Sequence, residues 1–128
     1  MTSVGKHFIV DMFDVNISSF EKYLYKNNFD IFDKNIEKLL EINNMTLLQK
    51  TVHHFNESGA FTSLYLLSES HVSFHTWPEN NFIAMDVFAC GSCNPRNIVD
   101  EVINMLNPKY FKIVNIDRGC DNSNSNDN

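Results

Sequence analysis

The residues from Glu69 to Trp77 combine the functional groups that a chain needs to cleave itself and to build a reactive carbonyl. Ser70 follows Glu69, and His71 and His75 come shortly after it. If the Ser70 hydroxyl attacks the Glu69 carbonyl, the peptide bond becomes an ester, and β-elimination and hydrolysis then leave a pyruvoyl group on the new N-terminus. Such a ketone can form a Schiff base and accept electrons from a carbanion, which is what a decarboxylase requires.

A bare Glu-Ser pair is common, and by itself it favours an ordinary serine at the edge of a strand. His75 supports the chemical interpretation, because β-elimination must remove the α-proton of Ser70 and histidine exchanges protons near neutral pH. Cys90 could protonate the carbanion that remains after CO2 departs, if its surroundings tune the pKa of its thiol. Its alternative role is that of a small buried apolar residue.

A rival hypothesis uses the Cys-Gly-Ser-Cys motif formed by Cys90 and Cys93. The pair could be redox-active, or it could form half of a zinc site that His71 and His75 complete. Zinc ribbons usually repeat the cysteine pair, and thioredoxin-like motifs open a helix within a βαβ unit. A non-enzymatic zinc or redox module is therefore the weaker alternative, no bound metal is expected, and Cys120 is interpreted as incidental.

Composition limits the class of protein. A chain of 128 residues with 43% hydrophobic residues predicts one globular domain over 1–120, and the polar segment 121–128 predicts a disordered tail. The net charge of -6 disfavours nucleic acid as a partner. Three cysteines, the absence of a signal-like N-terminus and the absence of a long apolar run predict a cytoplasmic protein that does not enter a membrane.

Hydrophobic periodicity predicts alternating strands and helices along the chain. The predicted strands are 7–12, 46–55, 61–68, 71–77, 82–90 and 110–116. Helices are predicted over about 19–26, from Asp30 to Asn43, and from Asn94 to Asn107. Ser18 and Glu21 have the spacing of a capping box, and Asp30 is expected to cap the second helix, although the first two helices could form one kinked element.

These elements predict an α+β fold, a two-layer sandwich in which an antiparallel sheet carries its helices on one face. Strand alternation places Val72 and Phe74 on one side of the sheet and His75 on the other. If the uniformly apolar faces contact the helices, His75 and Cys90 share the face that the helices leave uncovered. We expect a second subunit or a substrate on that face, so that the chain dimerises through elements other than its helices.

Spaced sequence blocks resemble the prokaryotic S-adenosylmethionine decarboxylase proenzyme family over roughly residues 4–119. The blocks are 5–11 (Gly-Lys-His-Phe-Ile-Val-Asp), 68–71 (Ser-Glu-Ser-His), 75–79 (His-Thr-Trp-Pro-Glu), 86–91 (Asp-Val-Phe-Ala-Cys-Gly) and 117–119 (Asp-Arg-Gly). The resemblance implies cleavage between Glu69 and Ser70, which gives a β chain of 1–69 and an α chain of 70–128 headed by the pyruvoyl cofactor. It also implies a lyase that supplies decarboxylated S-adenosylmethionine for spermidine biosynthesis.

The same resemblance implies roles for individual residues. His75 matches the family's processing histidine, and Cys90 matches its proton-donating cysteine. Glu79 matches the carboxylate that holds the ribose hydroxyls of the substrate. Phe55 is similar in placement to an aromatic residue that stacks on adenine, and Trp77 belongs to the same motif as Glu79.

The chain departs from the family pattern before the cleavage strand, where the loop 59–63 is one residue longer. The hydroxyl that supports processing is therefore Thr62 or Ser63, and Thr62 is favoured by its distance from Ser70. The resemblance further implies a homodimer of two αβ units with active sites at the interface. Because some relatives decarboxylate arginine or ornithine through the same pyruvoyl chemistry, those amino acids are alternative substrates.

Overall fold

The computed structural model describes residues 4–68, 70–90 and 92–120, so the predicted cleavage residue Glu69 and the 121–128 tail lie outside the described residues. The strands are β1 (Gly5–Val15), β2 (Leu47–His54), β3 (Phe61–Leu67), β4 (Ser70–Trp77), β5 (Phe82–Cys90) and β6 (Pro108–Arg118). The helices are α1 (Ile17–Ser19), a π-helical turn (Phe20–Leu24), a 3-10 turn (Lys26–Asn28), α2 (Phe29–Ile42), a second 3-10 turn (Pro78–Asn80) and α3 (Pro95–Leu106).

The six strands form one sheet in the order β2-β3-β4-β5-β1-β6, and every neighbouring pair is antiparallel. The N-terminal strand β1 lies between β5 and β6, so that Val10 is opposite Met85 on one side and Ile113 on the other. β1 and β6 extend beyond the predicted 7–12 and 110–116 because they pair with each other from Gly5 to Val15. The predicted α+β architecture is confirmed.

The hydrophobic core lies between the helices and one face of the sheet. Apolar side chains alternate along each central strand, and those on the helix side are buried, including Val10, Met12, Val72, Phe74, Ile83, Met85, Val87 and Ala89. The helices contribute Phe32, Ile36, Leu40, Ile98, Val99, Val102 and Leu106. Each fully buried large apolar side chain stabilises the fold by about 1.5–3 kcal/mol. The other face of the sheet, which we call the open face, lacks this cover among the described residues.

A network of hydrogen bonds between charged and polar side chains connects α2 to β2 and β3. The Tyr65 hydroxyl donates to Asp33 Oδ1 at 2.7 Å, and Lys50 Nζ donates to Asp33 Oδ2 and Glu37 Oε2, each at 2.5 Å. Burial raises the pKa of Tyr65 far above its ordinary value, so its hydroxyl remains a donor. The network fixes the position of α2 over the strands that lead to the candidate site.

The predicted capping box at Ser18 and Glu21 is wrong. Asn16 is the N-cap residue, and its side chain accepts a hydrogen bond from the Ser18 backbone N–H at 3.0 Å. Asparagine is as good a capping residue as serine, and it stands directly after β1, where the helix must begin. The Ser19 hydroxyl instead donates to the Leu106 carbonyl at 2.9 Å, which connects this turn to α3.

Asp30 is also not a cap, because α2 begins one residue earlier at Phe29 and its N-cap residue is Asn28. The Phe29 ring packs edge-on against Phe61 with 4.9 Å between ring centroids, which favours its inclusion in the helix. Asp30 lies in the first turn, where a carboxylate interacts favourably with the helix dipole.

None of the helices in the described residues has both the length and the apolar composition that a membrane-spanning helix needs.

Candidate active site

A cavity of about 620 Å³ opens where β3 and β4 meet the loop that follows β2. It is lined by Phe55, Asn56, Ala60, Phe61, Thr62, His75, Thr76, Trp77 and Glu79. Five of these residues were singled out from the sequence, namely Phe55, Thr62, His75, Trp77 and Glu79. The fold therefore brings together residues that are up to 24 positions apart in the chain.

His75 and Thr62 face each other across the β3–β4 ladder. They are register partners, and Thr62 Oγ1 lies 3.2 Å from His75 Nδ1. When Nδ1–H donates to the Thr62 hydroxyl oxygen, the lone pair of Nε2 is left to accept a proton. The His75 ring also stacks on Trp77, with 6.1 Å between centroids and 29° between planes. Both contacts fix the orientation of the imidazole toward the open face.

Ser63, the other hydroxyl considered for processing, points to the opposite side of the sheet. Its side chain is only 2% exposed, and its Oγ has no hydrogen-bond partner among the described residues. Successive residues of a strand point to opposite faces, so Ser63 cannot meet His75 when Thr62 does. The geometry favours Thr62 as the hydroxyl beside His75.

The cavity wall next to β2 is held in place by Thr76. Its buried hydroxyl donates to the Gly59 carbonyl at 2.5 Å and accepts from the Phe61 backbone N–H at 2.8 Å. Gly59 has a φ of +94°, a conformation that side chains rarely adopt. The Phe55 N–H donates to the Ala60 carbonyl at 2.8 Å, which closes the loop. The loop between β2 and β3 is thus a hydrogen-bonded wall of the cavity.

Two aromatic rings and one carboxylate form the rim. Phe55 is 65% exposed and contacts His53 edge-on, with 4.7 Å between ring centroids. Trp77 is 39% exposed and lies over Phe82 at 5.4 Å. Glu79 is exposed in the 3-10 turn that follows β4. A ligand that offers a flat ring and hydrogen-bond donors suits this rim.

Ser70 and Cys90 lie at the other end of the sheet, where alternation places the Ser70 side chain on the side of Val72 and the Cys90 side chain on the open face. His71 pairs with Phe88, so the first residue of β4 comes beside the last residues of β5. Five residues separate Ser70 from His75, and a strand rises about 3.3 Å per residue, which places their backbones about 17 Å apart. Within one chain, the structure does not bring Ser70 together with His75.

The Cys90 thiol has two partners in the turn that follows β5. Its Sγ lies 2.9 Å from Cys93 Sγ and 3.3 Å from Ser92 Oγ. The Cys93 backbone N–H donates to the Cys90 carbonyl at 3.1 Å. The hydrogen bond with Cys93, followed by that with Ser92, lowers the pKa of Cys90 below its ordinary value. This thiol releases its proton more readily than an isolated cysteine does.

The proposed Cys2His2 zinc set does not assemble. No cluster of three or more histidine, cysteine, aspartate or glutamate side chains suits a metal ion in the ranges that the structure describes. His75 pairs with Ala84, six residues before Cys90 on the neighbouring strand. His75 is therefore far along the sheet from the turn that holds the two cysteines, and the four side chains are not gathered around one point.

Sequence reasoning missed a pair in the middle of the open face. His7 Nε2 lies 3.1 Å from Asp86 Oδ1, and the His7 ring is 6.4 Å from His71 and 6.1 Å from Phe88. Asp86 is four residues before Cys90 in β5, so alternation puts both on this face. What the sequence lacked was the pairing of β1 with β5, which brings His7 to the same place.

Comparisons with known proteins agree with this arrangement. The family model for S-adenosylmethionine decarboxylase matches residues 6–119. The chain is 43% identical over 68 residues to the S-adenosylmethionine decarboxylase proenzyme of Methanococcus aeolicus, an alignment that covers 52% of this chain and 57% of that protein. It is 46% identical over 59 residues to proenzyme 2 of Bacillus cereus, covering 45% and 48%.

These alignments span about half the length of the curated relatives. The crystal structure of adenosylmethionine decarboxylase from Aquifex aeolicus superposes with a TM-score of 0.78 at 26% identity, covering 99% of this chain and 100% of that one. The family match extends over most of the chain and includes both ends of the open face. The chain belongs to the S-adenosylmethionine decarboxylase family.

Proposed function

We propose that the protein is a self-processing, pyruvoyl-dependent decarboxylase of S-adenosylmethionine, and that its product serves spermidine biosynthesis. The observation that carries this proposal is the single cavity that joins the His75–Thr62 pair to Phe55, Trp77 and Glu79. The family match over residues 6–119 supports it. We place the enzyme in the cytoplasm, where permanent structural disulfides are rare.

The chain's own residues suit a pyruvoyl group derived from Ser70. Ser70 begins β4 beside the end of β5, so the backbone at this position lies near the strand end that carries Cys90. When present, the group would supply a carbonyl that withdraws electrons from the bond to the departing carboxylate. Cys90 then holds the proton that the product carbon requires, and its lowered pKa favours giving that proton up.

The distance between the two ends of the sheet supports a homodimer. His75 and Thr62 lie about 17 Å along the strand from Ser70, yet processing requires a base next to Ser70. Consider a two-fold axis that runs between two facing sheets, perpendicular to their strands. Rotation about this axis reverses the strand direction, so the His75 end of one copy would lie over the Ser70 end of the other. In this arrangement His75 acts on Ser70 of the partner subunit, and each dimer has two active sites at its interface.

The open face has the composition of such an interface. Apolar side chains that are exposed in the single chain include Leu64, Leu66, Val114 and Ile116, all on this face. Burying them against a second copy would remove apolar surface from water, which is the main driving force for association. The hydrogen-bonded His7–Asp86 pair would lie within the same contact.

Coexpression of two defective chains tests both processing and assembly. Ser70→Ala and His75→Ala should each remain uncleaved alone, whereas wild type should split between Glu69 and Ser70. In a mixture, the His75→Ala chain should be cleaved, because the Ser70→Ala chain supplies an intact His75. Intact-mass measurement on chains with different tags identifies which one is cut. An uncut wild type would refute self-processing, and an uncut His75→Ala chain in the mixture would refute only the shared site.

The rim favours a nucleoside substrate. Phe55 and Trp77 offer flat faces for adenine or the sulfonium, and such contacts contribute about 0.5–2 kcal/mol. Glu79 can accept two ribose hydroxyls, at about 1.5–3 kcal/mol for each hydrogen bond to an ionised group. Arginine and ornithine offer neither a ring nor a diol. CO2 release should therefore be measured with all three compounds, and turnover of arginine or ornithine alone would replace the substrate assignment.

A further inference from the structure

The turn between β5 and α3 holds two thiol groups in contact. Cys90 ends β5, and Cys93 stands two residues before Pro95, which begins α3. Their Sγ atoms are 2.9 Å apart, and a backbone hydrogen bond of 3.1 Å joins the same two residues. A disulfide has a sulfur–sulfur length of about 2.05 Å, so the atoms need to approach by only roughly 0.9 Å. The turn therefore presents two cysteine sulfur atoms close to bonding distance.

We propose that Cys90 and Cys93 form a reversible intramolecular disulfide that withdraws the Cys90 thiol from proton donation and so switches the decarboxylase off. The switching effect rests on the proposed function, in which Cys90 protonates the product carbon. It differs from the non-enzymatic redox module considered from the sequence, because here the thiol chemistry controls an active site.

Formation of the Cys90–Cys93 disulfide requires an oxidant that itself contains a disulfide. Oxidised glutathione is the oxidant used in the test below. The Cys90 thiolate attacks one sulfur of the oxidant, forms a mixed disulfide and releases one glutathione thiolate. Cys93, after losing its proton, attacks the Cys90 sulfur of that mixed disulfide and releases the second glutathione thiolate. The protein loses two electrons and two protons, and one oxidised glutathione becomes two reduced molecules. Dithiothreitol reverses both steps.

The surroundings of Cys90 favour it as the attacking group. Redox-sensitive cysteines are typically accessible, have a lowered thiol pKa and stand next to a second cysteine that resolves the mixed disulfide. Cys90 is partly exposed, and its hydrogen bonds with Cys93 and Ser92 lower its pKa. The substrate must also reach this thiol for turnover, so a small oxidant has a route to it. Cys120, the remaining cysteine, follows β6 and serves as an internal reference.

Maleimide labelling tests the disulfide without reference to activity. The full protein is equilibrated with glutathione buffers of increasing oxidised fraction, then denatured and treated with N-ethylmaleimide for intact-mass measurement. All three cysteines lie after Ser70, so the reduced 70–128 chain should take three maleimides and the oxidised chain one. Cys120→Ser should oxidise as wild type does and lose both of its labels. Cys93→Ser should instead gain one glutathione, because the resolving thiol is absent.

Turnover measured on the same samples tests the switch. Loss of a proton donor costs about 100-fold or more in rate, so activity should fall in step with the oxidised fraction and return with dithiothreitol. Three labels at every buffer composition, or a Cys120→Ser variant that no longer oxidises, would overturn the Cys90–Cys93 disulfide. A disulfide that forms with no loss of turnover would overturn the switch. Reduced protein without activity would overturn the proposed function and the switch with it, while the label count would still decide whether the disulfide forms.

Discussion

Replacing Thr62 with valine should slow self-cleavage without unfolding the protein. Valine keeps the branched shape of threonine but removes the hydroxyl that lies 3.2 Å from His75 Nδ1. Without this contact the imidazole loses the group that fixes its orientation and tautomer, while its stacking on Trp77 remains. The variant therefore weakens the base rather than removing it.

The expected size of the effect follows from the kind of hydrogen bond that is lost. A neutral hydrogen bond contributes about 0.5–1.5 kcal/mol, and each 1.36 kcal/mol changes a rate about tenfold, so cleavage should slow by roughly 2- to 13-fold. If His75 carries a full charge at the rate-limiting step, the bond is worth about 1.5–3 kcal/mol and the slowing reaches roughly 13- to 160-fold.

A time course of intact and cleaved chains on denaturing gels measures this rate. Ser63→Ala is the matched control, because Ser63 is the neighbouring hydroxyl on the opposite face and is buried without a hydrogen-bond partner among the described residues. Removing it should leave the rate close to that of wild type. A Ser63→Ala variant that cleaves as slowly as Thr62→Val, or a Thr62→Val variant with the wild-type rate, would refute the assignment of Thr62.

Three further changes test other parts of the structure. Glu79→Gln should raise KM for S-adenosylmethionine more than it lowers kcat, because it weakens ground-state contacts to the ribose; steady-state kinetics would show the reverse if Glu79 acted in the chemical step. Tyr65→Phe should lower the free energy of unfolding in urea by about 1.5–3 kcal/mol, since the buried hydroxyl donates to the Asp33 carboxylate. Cys93→Ala removes the main cause of the lowered pKa of Cys90. A proton donor must be protonated, so turnover falls as pH rises through the pKa of Cys90. In Cys93→Ala this fall, the alkaline limb of the kcat profile, should therefore move to higher pH. An unchanged alkaline limb would exclude Cys90 as the titrating donor.

Strand alternation predicted the faces of the sheet because one face is buried. Val72 and Phe74 contact the core, while His75 and Cys90 belong to the open face, as expected from their positions in the strands. A shift of one residue would have moved every side chain to the wrong face, so the hydrophobic pattern fixes the register strongly. The roles of the cavity residues were predicted from the family resemblance, which rests on the spaced sequence blocks.

Other features depend on contacts that no local pattern encodes. The helix α2 begins at Phe29, whose ring packs against Phe61 from another element, and this contact is not visible in the local sequence around Asp30. The contact between the Cys90 and Cys93 thiols depends on the turn geometry after β5. The distance between Ser70 and His75 could have been predicted from the strand rise alone. The contact between His75 and Thr62 could not, because it depends on the pairing of β4 with β3.

The order of strands has a consequence for the protein after cleavage. A break between residues 69 and 70 would leave β1, β2 and β3 on one chain and β4, β5 and β6 on the other. Three of the five strand ladders, β3–β4, β1–β5 and β1–β6, would then join separate molecules. The two chains should stay associated as a noncovalent heterodimer, because separating them would remove β1 from its place between β5 and β6. Unfolding would release two chains instead of one, so the thermal midpoint of this unit acquires a dependence on protein concentration that a single continuous chain does not have.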